Sequence, residues 1–378
     1  MKDEMASLLD YRPDRAAVKE RMIREAKQIY QAGLTHTRHQ PVLNSYEGML
    51  RKFYLYPTFN CPLRCPYCYA EGGERKVPEL PGKDLLRITQ EAIDAGYQAV
   101  ILVGGEPLVY HDFPGYLDGL AGLLKRNCRY VLRTSFAFPV ADKMMDKLCA
   151  VFDEIVVSLD GDEEMNDAVR GKGSWRRATE NVKKAMERGG RISIAAVMTR
   201  EQGEGPAGES LRVFCRSLGI EKLVINSPVP MGRARDSHVP YYEWRSDPHE
   251  SDSVKMHYSC GLGHSLYVQP DGSVYPCYAW CEKEHQLGDL SKESLQDILD
   301  RKELLSILNS GVDTNRKCRT CDVRYFCGGR CKIWVSDHAD IDSGDFDCTE
   351  TRQSILETLQ RYGIIPVREG KENVLQNL

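Results

Sequence analysis

From residue 53 onward the chain repeats one pattern: a short apolar run, a turn, then a stretch with apolar residues every three or four positions. The runs at 53–57, 100–103, 130–134, 155–159, 192–198 and 223–226 have the length of buried strands. The stretches near 84–95, 113–125, 141–150, 175–188 and 209–218 read as amphipathic helices, and Gly96, Gly189 and Gly219 mark helix ends. Strands interleaved with helices in this way predict a parallel β/α architecture with right-handed crossovers. Periodicity leaves open whether that sheet closes on itself.

Outside this core the pattern changes. Ala17, Val18, Met22, Ala26 and Ile29 give residues 13–30 a helical stripe, expected to pack on the body of the protein. Residues 35–48 connect it to the repeats. The Gly-Pro stretch 202–206 reads as a flexible surface loop, and 231–254, rich in Pro, Asp, Ser and Tyr, as a linker. Runs at 265–268 and 274–278 flank Pro270-Asp271-Gly272, which predicts a β-hairpin. One or two short helices are expected over 290–308, a last helix over 351–361, and a mobile tail over 371–378. The expected division is an N-terminal helical extension (1–50), a β/α domain (51–235), a linker (236–255), a cysteine-rich domain (256–350) and a C-terminal helix with its tail (351–378).

The chain has 378 residues and a net charge of −4 with its charges interspersed, so electrostatics gives no reason to expect nucleic acid or membrane as a partner. No apolar run approaches the ~20 residues of a membrane span, and the first residues lack the plan of a secretory signal. A cytoplasmic protein is the expectation. Its 14 cysteines then point to metal, because that compartment disfavours disulfides. Cys128, Cys149 and Cys215 stand alone on predicted helices or their edges and read as small buried hydrophobes.

The chemistry concentrates first at Cys61, Cys65 and Cys68, a C-x3-C-x2-C pattern. Four thiolates would close a zinc or cubane site; three leave one iron of a cubane open to a small molecule. A zinc knuckle with a distant fourth ligand is the alternative. Together with Tyr67 before the last cysteine and Gly104-Gly105-Glu106-Pro107 after the second strand, the pattern strongly resembles the radical S-adenosylmethionine (SAM) superfamily, over about 51–230. The resemblance implies an α/β fold, a partial (β/α)6 barrel. It also implies a [4Fe–4S] cluster on Cys61, Cys65 and Cys68, with SAM chelating the fourth iron. Tyr67 would lie near adenine, Gly104 and Gly105 would let the backbone approach SAM, and Glu106 would accept from its ammonium. Ser158, Asp160 and Arg170 would lie beside the ribose and carboxylate. Residues 226–228 and Gly232-Arg233 are candidates for the adenine or substrate side.

The second set is Cys260, a glycine turn at Gly272, Cys277, then Cys318-x2-Cys321-x5-Cys327-x3-Cys331 and Cys348. It closely matches the C-terminal SPASM domain of radical SAM maturases. That match implies two auxiliary iron–sulfur clusters, [4Fe–4S] by expectation, one on Cys260, Cys277 and Cys331 and one on Cys318, Cys321, Cys327 and Cys348. The first lacks the cysteine often found between its opening cysteine and the glycine turn. Cys281 is expected to complete it; otherwise that cluster is open to substrate. Sulfatase-maturing relatives carry an aspartate directly after the cysteine matching Cys277, where this chain has Tyr278, which argues against that activity.

The expected function is a radical SAM peptide maturase. It would abstract a hydrogen from a ribosomally made precursor peptide and form a thioether or carbon–carbon crosslink, with a flavodoxin or ferredoxin as electron donor. A small-molecule substrate, such as a porphyrin or quinone-cofactor precursor, a peptide epimerase, and a non-catalytic iron–sulfur scaffold are the rivals. No catalytic residue is legible. Cys281, Cys215 and Tyr278 are the candidates, the two thiols as hydrogen donors for epimerisation.

Overall fold

The structure is a computed structural model; it describes residues 15–38, 52–123, 128–235, 258–329, 331 and 348–366. The expected tail at 371–378 and the whole of the expected linker at 236–255 lie outside these residues. The chain divides into two compact units. One comprises Met49–Arg245 and Gly261–Leu308, the other Met1–Gly48, Ser246–Cys260 and Asn309–Leu378.

In the first of these units, β1 (Lys52–Leu55), β2 (Ala99–Leu102), β3 (Arg129–Thr134), β4 (Glu154–Ser158), β5 (Ile192–Val197) and β6 (Leu223–Asn226) are parallel and lie in chain order. Strands covered on both faces need continuous apolar runs, and Val100, Ile101, Leu102, Ile155, Val156 and Val157 are all buried. The helices between them are α2 (Gly82–Asp94), α3 (Phe113–Gly122), α4 (Asp142–Val151), α6 (Ser174–Glu187) and α8 (Pro206–Ser217), while α1 (Arg15–Leu34) belongs to the other unit. Each turns a 3.6-period stripe onto the sheet; α2 buries Leu85, Ile88, Ala92 and Ile93 in this way. All three expected helix-ending glycines adopt positive φ.

Two helices were not legible. Helix α5 (Glu163–Arg170) begins at Asp162, whose side chain accepts from Met165 N–H, and its buried residues are Asn166 and Arg170. At eight residues, with Met165, Ala168 and Val169 as its only apolar positions, it is too short to give a clear hydrophobic period. The expected loop at 202–206 is instead the end of α7 (Arg200–Glu204) and the start of α8. A Thr199–Gln202 capping box starts α7, and Pro206 takes the first turn of α8, where its missing N–H costs nothing.

The hairpin forms as expected, from β7 (Ser265–Val268) and β8 (Ser273–Tyr275), and β9 (Gly288–Asp289) pairs with β8. It is not separate from the sheet, because β7 pairs in parallel with β1 on the side away from β2. The described sheet therefore has nine strands and is open, with β6 and β9 at its edges. The second hairpin strand ends earlier than the expected 278. Pro276 follows it, and Trp280 N–H donates to the Cys277 carbonyl at 3.1 Å, so Cys277 lies in a turn. Helices α9 (Leu295–Leu299) and α10 (Lys302–Asn309) follow.

In the other unit, α1, α11 (Arg324–Cys327) and α12 (Thr349–Arg361) share a small core. Ala26 and Ile29 of α1 meet Val323, Tyr325, Phe326 and Leu359 there. Arg324 is 1% exposed; it pairs with Asp313 and donates to the carbonyls of Gly33 and Thr37 after α1. A buried guanidinium with its donors satisfied in this way fixes the path of the chain before Cys327.

Candidate active site and cluster ligands

Cys61, Cys65 and Cys68 lie on a loop after β1 with no helix or strand of its own. Its shape is imposed from three sides. The Gly104-Gly105 turn after β2 supports the first. A Cβ on Gly104 would stand 2.5 Å from the Thr58 carbonyl oxygen, and one on Gly105 would stand 2.3 Å from that of Asn60, so only glycine admits this approach. Gly105 N–H donates to Thr58 O at 3.0 Å and Glu106 N–H to Asn60 O at 2.8 Å. Glu79 forms the second side, accepting from the Thr58 hydroxyl and from Asn60 Nδ2 while His111 contacts its other oxygen at 2.9 Å.

The third side comes from the segment after β6. Arg233 donates from Nε to the Cys65 carbonyl at 2.8 Å and from Nη1 to that of Gly72 at 3.2 Å, and it pairs with Glu74. Its backbone N–H reaches the Cys68 carbonyl at 3.1 Å. Gly232 has φ +52°, and a Cβ there would stand 2.4 Å from Cys68 O and 2.6 Å from Tyr69 O. Sequence reasoning placed these two residues on the adenine or substrate side; in the structure both clasp the cysteine loop, and Gly232 also lines a cavity with Tyr69 and Tyr278. Because Arg233 and Gly232 act on backbone carbonyls, no side-chain pattern announces them. Gly232→Ala should therefore lower the iron retained after anaerobic reconstitution and gel filtration by at least about half, since its strain falls on backbone that cannot move aside. Wild-type iron content in that variant would contradict the clasp.

Glu106 is 1% exposed and both its oxygens are engaged by the protein. One accepts from Thr134 Oγ1 at 2.8 Å and Leu108 N–H at 3.3 Å, the other from Ser135 N–H and Oγ at 2.8 and 2.7 Å. Burial raises its pKa, with the Ser135 and Thr134 bonds pulling the other way. It thus ties the tip of β3 to the glycine turn. Thr134 and Ser135 were missed by sequence reasoning, although one ends β3 and the other follows it, where α/β sites are built.

Tyr67, Asp160 and Arg170 converge. Asp160 is fully buried and accepts Arg170 Nε at 2.7 Å and Nη2 at 3.2 Å, Val197 N–H at 2.7 Å and the Tyr67 hydroxyl. The Arg170 guanidinium also stands 5.7 Å from the centre of the Tyr67 ring. Burial works against the Arg170 charge, but Asp160 outweighs it and its pKa is raised. Burial likewise raises the Tyr67 phenol, which stays neutral. Ser158 ends β4, two residues before this group.

Cys61, Cys65 and Cys68 lie near one another: after burial, Cys65 and Cys68 are among the causes that raise the Cys61 pKa. Burial pushes Cys61 up to about 12, so ligation must displace a proton there. Just after β6, the Ser227 hydroxyl oxygen is shielded with no hydrogen-bond partner among the described residues. Among the described residues no three Cys, His or carboxylate side chains form a group that could hold a single metal ion.

Of the second set, Cys318, Cys321, Cys327, Cys331 and Cys348 all belong to the unit built around α1, α11 and α12, as does Cys260; Cys277 and Cys281 belong to the sheet unit. Cys321 N–H donates to Cys318 O at 2.9 Å, Cys327 ends α11, and Cys348 immediately precedes α12. A bidentate pair from Arg352 of α12 to Asp322, at 2.9 and 2.8 Å, ties the Cys321 turn to the helix that follows Cys348. Cys281 lies beyond the hairpin's second strand. It follows the turn at Cys277, its thiol facing the carbonyls of Cys277 and Tyr278 at 3.3 and 3.4 Å. It also lines a cavity of ≈ 240 Å³ in the sheet unit, with Tyr56, Tyr69, Tyr267, Tyr278 and Arg75. Cys215 instead lies in the hydrophobic core, with Cys128; Cys149 packs against it.

Residues 55–213 match the Radical SAM superfamily, and residues 260–322 match SPASM, an iron-sulfur cluster-binding domain. The chain is thus a radical SAM protein with a SPASM domain, an enzyme of SAM radical chemistry whose cofactors are SAM and iron–sulfur clusters. Pre-heme d1 synthase of Dinoroseobacter shibae is 28% identical over 179 residues, 47% of this chain and 43% of that protein, so the match spans less than half of that relative. Mycofactocin maturase MftC of Mycolicibacterium smegmatis is 26% identical over 332 residues, 78% of this chain and 81% of that protein. The structure of Streptococcus suis SuiB bound to precursor peptide SuiA shares the fold, with TM-score 0.62 and 21% identity over 78% of this chain and 74% of that one. No described helix is long and apolar enough to cross a membrane.

Proposed function

We propose that the chain is a cytoplasmic maturase that crosslinks a ribosomally made precursor peptide through a thioether or carbon–carbon bond. One observation carries the reading. The cavity lined by Tyr69, next to Cys68, and by Tyr278, next to Cys277, lies beside both cysteine-bearing segments of the sheet unit. Cys61, Cys65 and Cys68 would hold the SAM cluster. Ser158, the Tyr67–Asp160–Arg170 group and the Gly104-Gly105-Glu106 turn would bound SAM, with Glu106 giving up one of its present donors to accept from the SAM ammonium. Bound there, SAM and its cluster supply an adenosyl radical that takes a hydrogen atom from an unactivated carbon. Cysteines for two further clusters suit a net oxidation, because the electron removed from the substrate needs a destination. We assign Cys260, Cys277, Cys281 and Cys331 to one cluster and Cys318, Cys321, Cys327 and Cys348 to the other, with a flavodoxin or ferredoxin as external donor.

A porphyrin-type small molecule is the second reading, prompted by the similarity to pre-heme d1 synthase. That similarity covers 47% of the chain, against 78% for MftC, so it speaks to less of the molecule. The deciding experiment incubates the reconstituted enzyme with SAM, a reductant and a candidate peptide encoded beside it, followed by mass spectrometry. Loss of about 2 Da per crosslink supports the reading, and an unchanged peptide mass with turnover of a porphyrin overturns it. Reconstituted protein should also carry close to about 12 irons per chain, four for each of three cubanes. About four irons, with zinc in the remaining sites, would contradict the cluster assignment.

A further inference from the structure

The aromatic side chains beside the two cysteine segments of the sheet unit are not scattered. Tyr69 follows Cys68 in the chain and Tyr278 follows Cys277, and their rings meet edge to face with centroids 5.2 Å apart. Neighbouring tyrosines hold both rings in place. The Tyr56 and Tyr69 hydroxyls are 3.1 Å apart, and Tyr267 lies 5.9 Å from Tyr278. Tyr267 in turn stacks on Tyr54 at 4.5 Å with an interplanar angle of 4°. That stack follows from backbone pairing, since Tyr54 of β1 is the register partner of Tyr267 of β7. The sheet thus sets the separation of the two cysteine segments, and the Tyr69–Tyr278 contact spans it with packed atoms.

We propose that the Tyr69–Tyr278 contact is the path by which an electron passes between the cluster held at Cys68 and the cluster held at Cys277. The proposal rests on the cluster assignments under the proposed function. Tunnelling weakens far less steeply through bonded and packed atoms than across solvent. From thiolate through backbone to ring, then across one van der Waals gap, the route is bonded or packed throughout. The electron balance is simple. The auxiliary cluster, reduced by the substrate radical, loses one electron and is oxidised by one. The SAM cluster gains that electron and is reduced by one. Both tyrosines stay neutral throughout, and no proton moves. The consequence is catalytic economy: the electron used to cleave SAM returns from the substrate instead of being drawn afresh from the external donor at each turnover.

The test uses the holoenzyme with SAM bound, so that the SAM cluster has its own EPR signature, and no peptide. A light flash with a deazaflavin injects one electron, and rapid-freeze EPR follows its redistribution between the clusters. Tyr69→Leu and Tyr278→Leu each remove the contact, so either variant suffices should the other fail to load with iron. Each should slow redistribution at least about tenfold, while the cluster potentials and iron content match wild type. Tyr69→Phe and Tyr278→Phe keep the rings and should redistribute at the wild-type rate. Tyr54→Leu, which breaks a neighbouring stack but not the contact, should also leave the rate alone. Wild-type rates in the Leu variants, or equal slowing in Tyr54→Leu, would overturn the path while leaving the cluster assignment intact. No redistribution in the wild type would overturn the assignment and the path together.

Discussion

Anaerobic, reduced protein in which Cys61, Cys65 and Cys68 are all alanine should form no 5′-deoxyadenosine from SAM, against steady formation by the wild type. The substitutions remove three thiolates and little else. The loop that carries them is fixed by backbone groups: Glu106 N–H to Asn60 O, Gly105 N–H to Thr58 O, and Arg233 to the carbonyls of Cys65 and Gly72. None of these needs a sulfur. What is lost inside the protein is two weak contacts, Leu63 N–H to Cys61 Sγ at 3.5 Å and Gly72 N–H to Cys68 Sγ at 3.4 Å. The variant should therefore keep the wild-type circular dichroism and unfolding midpoint of the apo-protein. Undiminished 5′-deoxyadenosine would remove the first cluster from this loop.

Asp160→Ala should destabilise the apo-protein by about 3–5 kcal/mol, the range for leaving one member of a buried ion pair alone. Asp160 is 0% exposed and Arg170 8%, so the abandoned guanidinium has little water to turn to. Two further donors, Val197 N–H and the Tyr67 hydroxyl, lose their acceptor in the same step. Since domains are stable by only ~5–15 kcal/mol in all, the change should appear as a large drop in the denaturant midpoint. Asp160→Asn keeps the shape and the acceptor oxygen but not the charge, and should fall between the two. A change below about 1 kcal/mol for Asp160→Ala would show that the pair does not organise the strand ends.

The three members of this group could be read one at a time, each through the resemblance to a family. Their convergence could not: Tyr67 and Asp160 are 93 residues apart. Nothing in the residues of α5 singles out Arg170, which is buried there with Asn166. Strands β1 to β6 were legible to within one or two residues, because each is a short, mostly apolar run followed by a turn. The partner of β7 was not, since alternation inside a hairpin says nothing about which distant edge it joins. The grip of Arg233 on the cysteine loop had no signal at all, as its partners are carbonyls that every residue possesses.

The pairing of β7 with β1 also sets an order of events during synthesis. Lys52 and Ser265 are register partners more than two hundred residues apart. Until residue 265 and its neighbours leave the ribosome, one side of β1 offers bare N–H and C=O groups to any passing strand. A contact this distant in sequence is slow to close and exposes the nascent chain to aggregation meanwhile. A stop codon placed after β6 would therefore leave more than a missing cluster domain: it would release a sheet with an unprotected parallel edge.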